Sequence, residues 1–464
     1  MKSYVKTLND NRTIYGTIAR IALPIAFQNT ITASLNFIGS LMVGRVGETE
    51  LTAVGLSTQL FFVQYMVLYG FISGSATFMS QYWGVRDLKS IKKVIGIDII
   101  AGLLLTTIIF SVPAMFFPEY VLRIFTDNAE VISLGAGYMR VCSVGILFLC
   151  LSFPFSTALR TTEQTNVPMM ISIVAFCVNI GLNYVLIFGK FGAPALGVVG
   201  AAIGTTSARI CELVLYAIVI FARKNMLAGR LREYFAWNMK MAKRVIANSV
   251  PTTINESMWS MGMASYNAAY GRMGVSAFAA VQAGVTINDL FTMAIFSMGD
   301  ASLILVGQEL GRKRMAYAYE LAKKILKVGI CVGFLSGLLL IFTSQWLAGF
   351  FEFTEETRYL TQKILIVYGV VMAIKLSNGM QITGILRCGG DTMFAMKTEL
   401  ILVWCMAVPL VFMGALYLQL PVYMVVLMAQ SEEVVKFFVL NRRFVSKKWM
   451  NNLIGKKAEN VANK

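Results

Sequence analysis

Apolar segments of roughly twenty residues, set apart by short polar and charged stretches, recur from one end of the chain to the other. A helix rises ~1.5 Å per residue, so each segment is long enough to cross the ~30 Å of hydrocarbon in a bilayer. The pattern predicts twelve transmembrane helices, near residues 17–42, 52–80, 94–116, 132–157, 168–190, 196–222, 245–270, 277–305, 325–347, 360–384, 394–416 and 419–441. The polar start, MKSYVKTLNDNRTIYG, has no apolar core ending in a small-residue cleavage site. The first apolar stretch, Ile18 to Leu41, is long enough to remain as a spanning helix.

The polar stretches alternate in charge. Arg86, Lys89, Lys92 and Lys93 lie between helices two and three, and Arg223, Lys224, Arg230, Arg232, Lys240, Lys243 and Arg244 between six and seven. Arg312, Lys313 and Arg314 follow helix eight, and Arg442, Arg443, Lys447 and Lys448 follow helix twelve. The intervening loops hold few bases: Arg45, Arg123, Lys190, Arg272 and Arg358. Cytoplasmic loops carry the Lys/Arg excess, which places both termini in the cytoplasm of a multi-pass protein of the cell membrane.

A shift of 227 positions brings the second half onto the first. Pro24 falls on Pro251, Gly44-Arg45-x-Gly47 on Gly271-Arg272-x-Gly274, and Gln81 with Gly84 on Gln308 with Gly311. Arg160 falls on Arg387, Thr165 on Thr392, and Arg209 on the basic Lys436. Prolines, arginines and paired glycines do not recur at one ungapped offset by hydrophobic composition alone, so the chain is a duplication. Its expected division is an N-terminal lobe 1–222, a cytoplasmic linker 223–244, a C-terminal lobe 245–445 and a basic tail 446–464. Six spans per copy is an even number, so both copies enter the membrane in the same sense, related by a pseudo-two-fold axis along its normal. The expected fold is an all-α polytopic membrane protein of two six-helix lobes. Rocking of such lobes exposes an enclosed cavity to one side at a time; transporters are built this way, and channels and scramblases are open alternatives.

Composition narrows the class. Of 464 residues, 57% are hydrophobic and only 14% charged, against about a quarter charged in soluble domains. The net charge of +17 sits between apolar stretches rather than on one soluble face, which argues against a nucleic-acid partner. The seven cysteines are scattered without a CxxC pair and read as small hydrophobes. Histidine is absent, so carboxylates are left as the proton or cation carriers. No GxxxxGK[ST] loop for nucleotide phosphates and no clustered nucleophile or metal constellation is visible, so neither an enzyme nor a cofactor is expected.

An ionised side chain at the bilayer centre costs ~2.5–3.5 kcal/mol, so charges inside the spans are candidate sites. Glu256 is foremost: it falls near mid-depth of helix seven, with no base three or four positions away, and its repeat partner is Asn29. It reads either as the coupling carboxylate for Na⁺ or H⁺, with a share in cation recognition, or as a structural carboxyl between packed helices. Lys375 is the base near mid-depth of helix ten, and is expected either to pair with Glu256 or to snorkel to an interface. Asp289 and Asp300 stand eleven apart on helix eight, close to three turns and thus on one face; they would line a cation path, or Asp300 would contact Arg312. Arg209 with Glu212, and Glu432 and Glu433 with Lys436, neutralise one another locally and favour a structural reading. Asp98, beside Lys93, reads as interfacial. The 27 methionines and 31 phenylalanines suit a cavity adaptable to organic cations, though most must pack or face lipid.

Three stretches carry a family likeness: MVGRVGETELTAVGLS with its partner YGRMGVSAFAAV, VNIGLNYVLIFGKFGAPALGVVGAAIGTTSAR, and GILRCGGDT with its partner TALRTTEQT. Together these resemble the multidrug and toxic compound extrusion (MATE) family over roughly residues 15 to 445. The resemblance implies a twelve-helix fold and export of cationic amphipathic compounds in exchange for Na⁺ or H⁺; the expected partners are small organic cations and membrane lipids, and the expected state is a monomer. Its substrate cavity is expected at Gln28, Asn29 and Asn36 of helix one, Asn179 and Asn183 of helix five, and Thr206 of helix six. In the second lobe the lining would be Asn255 and Trp259 of helix seven with Lys375, Asn378 and Gln381 of helix ten. For the polar residues of helices one, five and six, inter-helix packing is an equal alternative. One departure is clear: relatives often carry an aspartate in helix one, three residues before Met-Val-Gly, and this chain has Gly39 there. The resemblance also admits a flippase for an anionic lipid-linked precursor, which should show unpaired Arg or Lys in the central helices. A channel with a symmetric pore-lining ring fits two unequal halves poorly.

Overall fold

The computed structural model describes residues 11–351 and 353–455, and leaves the side chains of 11–13, 36–37 and 294–296 undescribed. Twelve long helices account for the predicted spans. The first half has α1 (Asn11–Gly44), α2 (Glu48–Gly84), α3 (Leu88–Phe116), α4 (Ala129–Thr161), α5 (Asn166–Phe188) and α6 (Gly197–Ala222). The second has α7 (Met239–Gly271), α8 (Val275–Gly311), α9 (Met315–Ala348), α10 (Glu355–Leu386), α11 (Thr392–Tyr417) and α12 (Val422–Val445). Most run beyond the apolar stretches at one or both ends, because polar flanks continue the helix until a cap stops them. Asp87 starts α3 by accepting from the Ser90 amide at 3.1 Å, and Asn128 starts α4 by accepting from the amides of Glu130 and Val131.

Ten of the twelve are long and apolar enough to cross a membrane. Five stretches inside these helices widen to π-helical turns, one of them Gln381–Leu386 at the end of α10. Such turns commonly mark functional positions, and this one immediately precedes Arg387.

The helices form two compact units: residues 27–253, and the chain up to Ala26 joined with Ile254 onward. The division points, after Ala26 and after Thr253, stand 227 positions apart, the same offset as the sequence repeat. Each unit thus claims the opening turns of the other half's first helix, close to the prolines inside those helices, Pro24 and Pro251. In the first unit the start of α7 is bound to α2: Asn248 Nδ2 donates to the Gly74 carbonyl at 2.8 Å and Thr252 Oγ1 to that of Gly70 at 2.6 Å.

Within the first unit α2 packs on α4 and α4 on α6; within the second α8 packs on α10 and α10 on α12, the corresponding pairs. α9 also lies along α10, and the approach is close: a Cβ on Gly337 would sit 2.3 Å from the Gly369 carbonyl oxygen. Small residues at such a crossing let backbones touch where lipid gives no hydrophobic incentive to associate.

The linker is folded rather than loose. Its short helix, Leu231–Phe235, docks on α3, where Lys92 pairs with Glu233 at 2.9 Å and the buried Tyr234 hydroxyl donates to the Leu227 carbonyl at 2.6 Å. The described part of the tail docks on the second unit. Trp449 is buried and stacks on Phe444, and Asn452 Nδ2 donates to the Leu310 carbonyl at 2.7 Å.

Candidate functional site

α7 and α12 are the long helices outside the set of ten apolar spans among the described residues. Glu256, on α7 and 5% exposed, is ion-paired to Nη2 of Arg387, which is 1% exposed at the end of α10. Of the two alternatives for Lys375, pairing with Glu256 is not seen: the Lys375 ammonium lies 5.8 Å from the Tyr368 ring centroid and acts electrostatically on Asp289. Arg387 comes from 131 positions away, brought to α7 by the packing of α10 rather than by local spacing.

One residue earlier on α7, Asn255 Nδ2 donates to Glu399 Oε2 of α11 at 2.9 Å. Glu399 in turn accepts from Lys436 Nζ of α12 at 3.4 Å. The same ammonium lies 3.3 Å from Glu432 Oε1 and 3.5 Å from Glu433 Oε1. Asn378 of α10 closes the group, its Nδ2 donating to the Glu433 carbonyl at 2.7 Å and to its carboxylate at 2.8 Å. The local i,i+3 and i,i+4 neutralisation expected for α12 is therefore part of a four-helix network. Four carboxylates and two bases face one another in it. Three acceptors in the network remain without a hydrogen bond: Asn255 Oδ1, Asn378 Oδ1 and Glu432 Oε2.

The first half holds the same frame without the acids. At the repeat offset, Gln28 stands for Asn255, Asn29 for Glu256, Ser172 for Glu399, and Thr205 and Thr206 for Glu432 and Glu433. Arg160 and Arg209 keep the basic positions of Arg387 and Lys436. Arg160 donates through Nε at 3.1 Å and Nη2 at 2.7 Å to the amide oxygen of Gln28, whose Nε2 donates to Ser172 Oγ at 2.9 Å. Arg209 pairs with Glu212 at 3.0 Å. Both bases are retained and all four acids are replaced by amides and hydroxyls.

The other side chains singled out from the sequence divide by their commitments. Asn179 donates to Thr205 at 3.4 Å, Asn183 to Asn179 at 2.9 Å, and Thr206 to the Val141 carbonyl at 3.1 Å, all bonds inside the first unit. Gln381 is buried and donates to Ser377 Oγ at 3.4 Å. Asp289 is exposed on α8, whereas Asn29, Trp259, Asp300 and Lys375 are half-buried. The Asn36 side chain lies outside the described residues. Asp98 is not interfacial: it is fully buried on α3 and accepts from Ser75 Oγ at 2.7 Å. The sequence alone did not single out Glu399, and marked Arg387 only as the repeat partner of Arg160. The signal for Glu399 was a lone acid in an apolar run whose repeat partner is a serine.

A family model described as MatE matches residues 24–185 and 251–413, once in each half. The chain is 25% identical over 417 residues to a probable multidrug resistance protein, YoeA, of Bacillus subtilis (strain 168), covering 88% of this chain and 89% of that one. It is 25% identical over 414 residues to the probable multidrug resistance protein NorM of Thermotoga maritima, covering 87% and 86%. In three dimensions it resembles a structure described as the outward-facing conformation of a multidrug resistance MATE family transporter of the MOP superfamily. That likeness has a TM-score of 0.82 and 18% identity, over 93% of this chain and 96% of the other. A MOP superfamily transporter from Pyrococcus furiosus, described as having a binding pocket of reverse polarity, aligns with a TM-score of 0.82 at 19% identity over the same shares.

Proposed function

This chain belongs to the MatE family of transporters, and we propose that it is a secondary multidrug exporter of the cell membrane, moving cationic amphipathic compounds outward against an inward flow of Na⁺ or H⁺. The observation that carries the reading is the placement of charge. Four little-exposed acids meet on α7, α11 and α12, and the four equivalent positions of the first half are neutral. With Gly39 where relatives often have an aspartate, coupling is assigned to the second half.

Glu256 is the coupling carboxylate in this reading, and Arg387 is its resting partner. An ion pair buried in apolar surroundings is held by mutual attraction against a desolvation cost of several kcal/mol per ion. A proton or Na⁺ arriving at Glu256 removes the attraction for Arg387, and α7 and α10 are then free to separate there. That release is the local step by which ion binding would bias alternating access of the two halves. Asp289, exposed on α8 with Lys375 and Tyr368 near it, is the side chain assigned to attract the organic cation, with Trp259 and Asp300 as further lining.

A flippase for an anionic lipid-linked precursor is the weaker reading, because Arg387 and Lys436 are engaged by carboxylates rather than presented to an anion. The test is ethidium efflux from proteoliposomes under separately imposed Na⁺ and H⁺ gradients. Export under one gradient supports antiport and names the ion. Movement of an anionic lipid-linked saccharide, with no movement of ethidium, would favour the flippase.

A further inference from the structure

The connection from α3 to α4 contains one short helix, Pro118–Leu122, whose Glu119 pairs with Arg140 of α4 at 2.5 Å. Between this connection and the start of α4 lies a cavity of about 540 Å³. It belongs wholly to the first unit and shares no residue with the acid network of the second. Four charged side chains line it, Glu119, Arg123, Asp127 and Arg140, together with Ser133 and three small or aliphatic residues of α4.

The four charges do not play one role. Arg140 stands about 12 Å inside the predicted helix-four span, and Glu119 supplies the counter-charge that such a depth requires. Arg123 lies over the Tyr120 ring, 5.8 Å from its centroid, and neither it nor Asp127 forms an ion pair among the described residues. The cavity therefore presents one guanidinium and one carboxylate with hydrogen-bonding capacity to spare.

The fold does not require these charges. At the repeat offset Glu119 falls on Trp346, Arg123 on Phe350, Asp127 on Thr354 and Arg140 on Val367. Trp346 and Phe350 are exposed and pack edge to face at 4.4 Å, so the second half builds an apolar surface from the same scaffold. The surroundings of the cavity are apolar too. Phe116, Phe117, Tyr120, Ile124 and Phe125 of the connection are all exposed. Aromatic side chains displayed in this way sit at the level of lipid headgroups, and the distribution of Lys and Arg assigns this end of the first unit to the outer leaflet.

We propose that the cavity binds the headgroup of a phospholipid carrying both a phosphate and a primary ammonium, as in phosphatidylethanolamine, with Arg123 on the phosphate and Asp127 on the ammonium. A guanidinium suits phosphate oxygens, and a primary ammonium donates charge-assisted hydrogen bonds to a carboxylate. A net-anionic headgroup would face Asp127 without a cation to offer it. A choline headgroup has no N–H to donate, and no aromatic ring lines the cavity to hold a quaternary ammonium. The exposed apolar side chains around the connection lie where the lipid's acyl chains would run, which favours a lipid over a soluble zwitterion.

Native mass spectrometry of the purified full-length protein in detergent, titrated with lipids of identical acyl chains, tests this through the first lipid bound. Wild type should bind phosphatidylethanolamine with a Kd about tenfold below that for phosphatidylcholine or phosphatidylglycerol. Arg123→Gln should weaken phosphatidylethanolamine and phosphatidylcholine alike by about tenfold. Asp127→Asn should weaken phosphatidylethanolamine by about tenfold and leave phosphatidylcholine unchanged, which erases the preference. Both side chains are exposed, so neither change disturbs the core, and Glu130→Gln, an exposed acid outside the cavity, should behave as wild type. Equal wild-type affinity for the three lipids would overturn the proposal, as would a preference that survives in both cavity variants. Phosphoethanolamine without acyl chains should bind at least about tenfold more weakly than the lipid. Binding as tight as the lipid's would make the ligand a soluble zwitterion and overturn the lipid assignment.

Discussion

Arg387 meets the carboxylate of Glu256, whereas Arg160, 227 positions earlier in the repeat, meets the amide oxygen of Gln28. The two bases occupy equivalent places at the ends of α10 and α4, but one is held by a titratable carboxylate and the other by a neutral amide. The first half keeps the scaffold of the site and the second half its titratable chemistry.

Removing one partner of the buried pair should be worse than removing both. Arg387→Met leaves Glu256 buried without its counter-charge, a loss of about 3–5 kcal/mol by analogy with other broken buried pairs. Glu256→Gln in the same chain should restore much of the melting temperature. Thermal unfolding in detergent of the two single variants and the double one measures this, and a double variant no more stable than Arg387→Met contradicts a direct pair.

Lys375→Met should leave the coupling ion and its stoichiometry unchanged, because Lys375 is near Asp289 and Tyr368 rather than bound to Glu256. The expected effect is on substrate preference, read as ethidium KM against that of a neutral dye. A loss of gradient-driven export at normal expression would return Lys375 to the coupling site.

Gly337→Ala places a methyl group 2.3 Å from the Gly369 carbonyl oxygen and forces α9 away from α10. Overpacking of this kind costs about 1–3 kcal/mol. Gly55→Ala, where nothing lies within 4 Å, is the matched control. Size-exclusion profiles and melting temperatures should fall for the first and hold for the second.

The linker should loosen in acid. A hydrogen bond from Lys92 holds the Glu233 carboxyl below its ordinary range, so this stabilisation is present above the unfolded value of about 4.3 and lost as pH falls through the lowered one. Hydrogen exchange over residues 228–235 should therefore rise below about pH 4.3, and Glu233→Gln at neutral pH should show the same faster exchange. Equal protection at both pH values would show that the pair contributes nothing to docking of the linker.

Much of this fold was legible in the sequence because membrane helices must satisfy their backbone internally and cover it with apolar side chains. That constraint writes the spans directly, and the duplication is visible through Pro24 and Pro251 and the paired glycines. Glu256 stood out because a buried acid in an apolar run has no cheap explanation. Its partner did not, since Arg387 is 131 positions away and no local spacing links the two. Glu399 and Asp98 were hidden for a related reason. Each lies close to the start of its predicted apolar stretch, and only packing shows both to be buried. Local spacing revealed Lys436 with Glu432 and Glu433 but suggested a closed, neutral set; the third acid arrives from another helix.

The most direct test of the central claim compares wild type and Glu256→Gln for ethidium export from proteoliposomes under an imposed ion gradient, at equal protein incorporation. Loss of the charged partner of Arg387 should lower gradient-driven export by about tenfold or more while passive ethidium binding persists. Export by Glu256→Gln at the wild-type rate and with the same gradient dependence would contradict the claim, and would make Glu256 a structural carboxyl between α7 and α10.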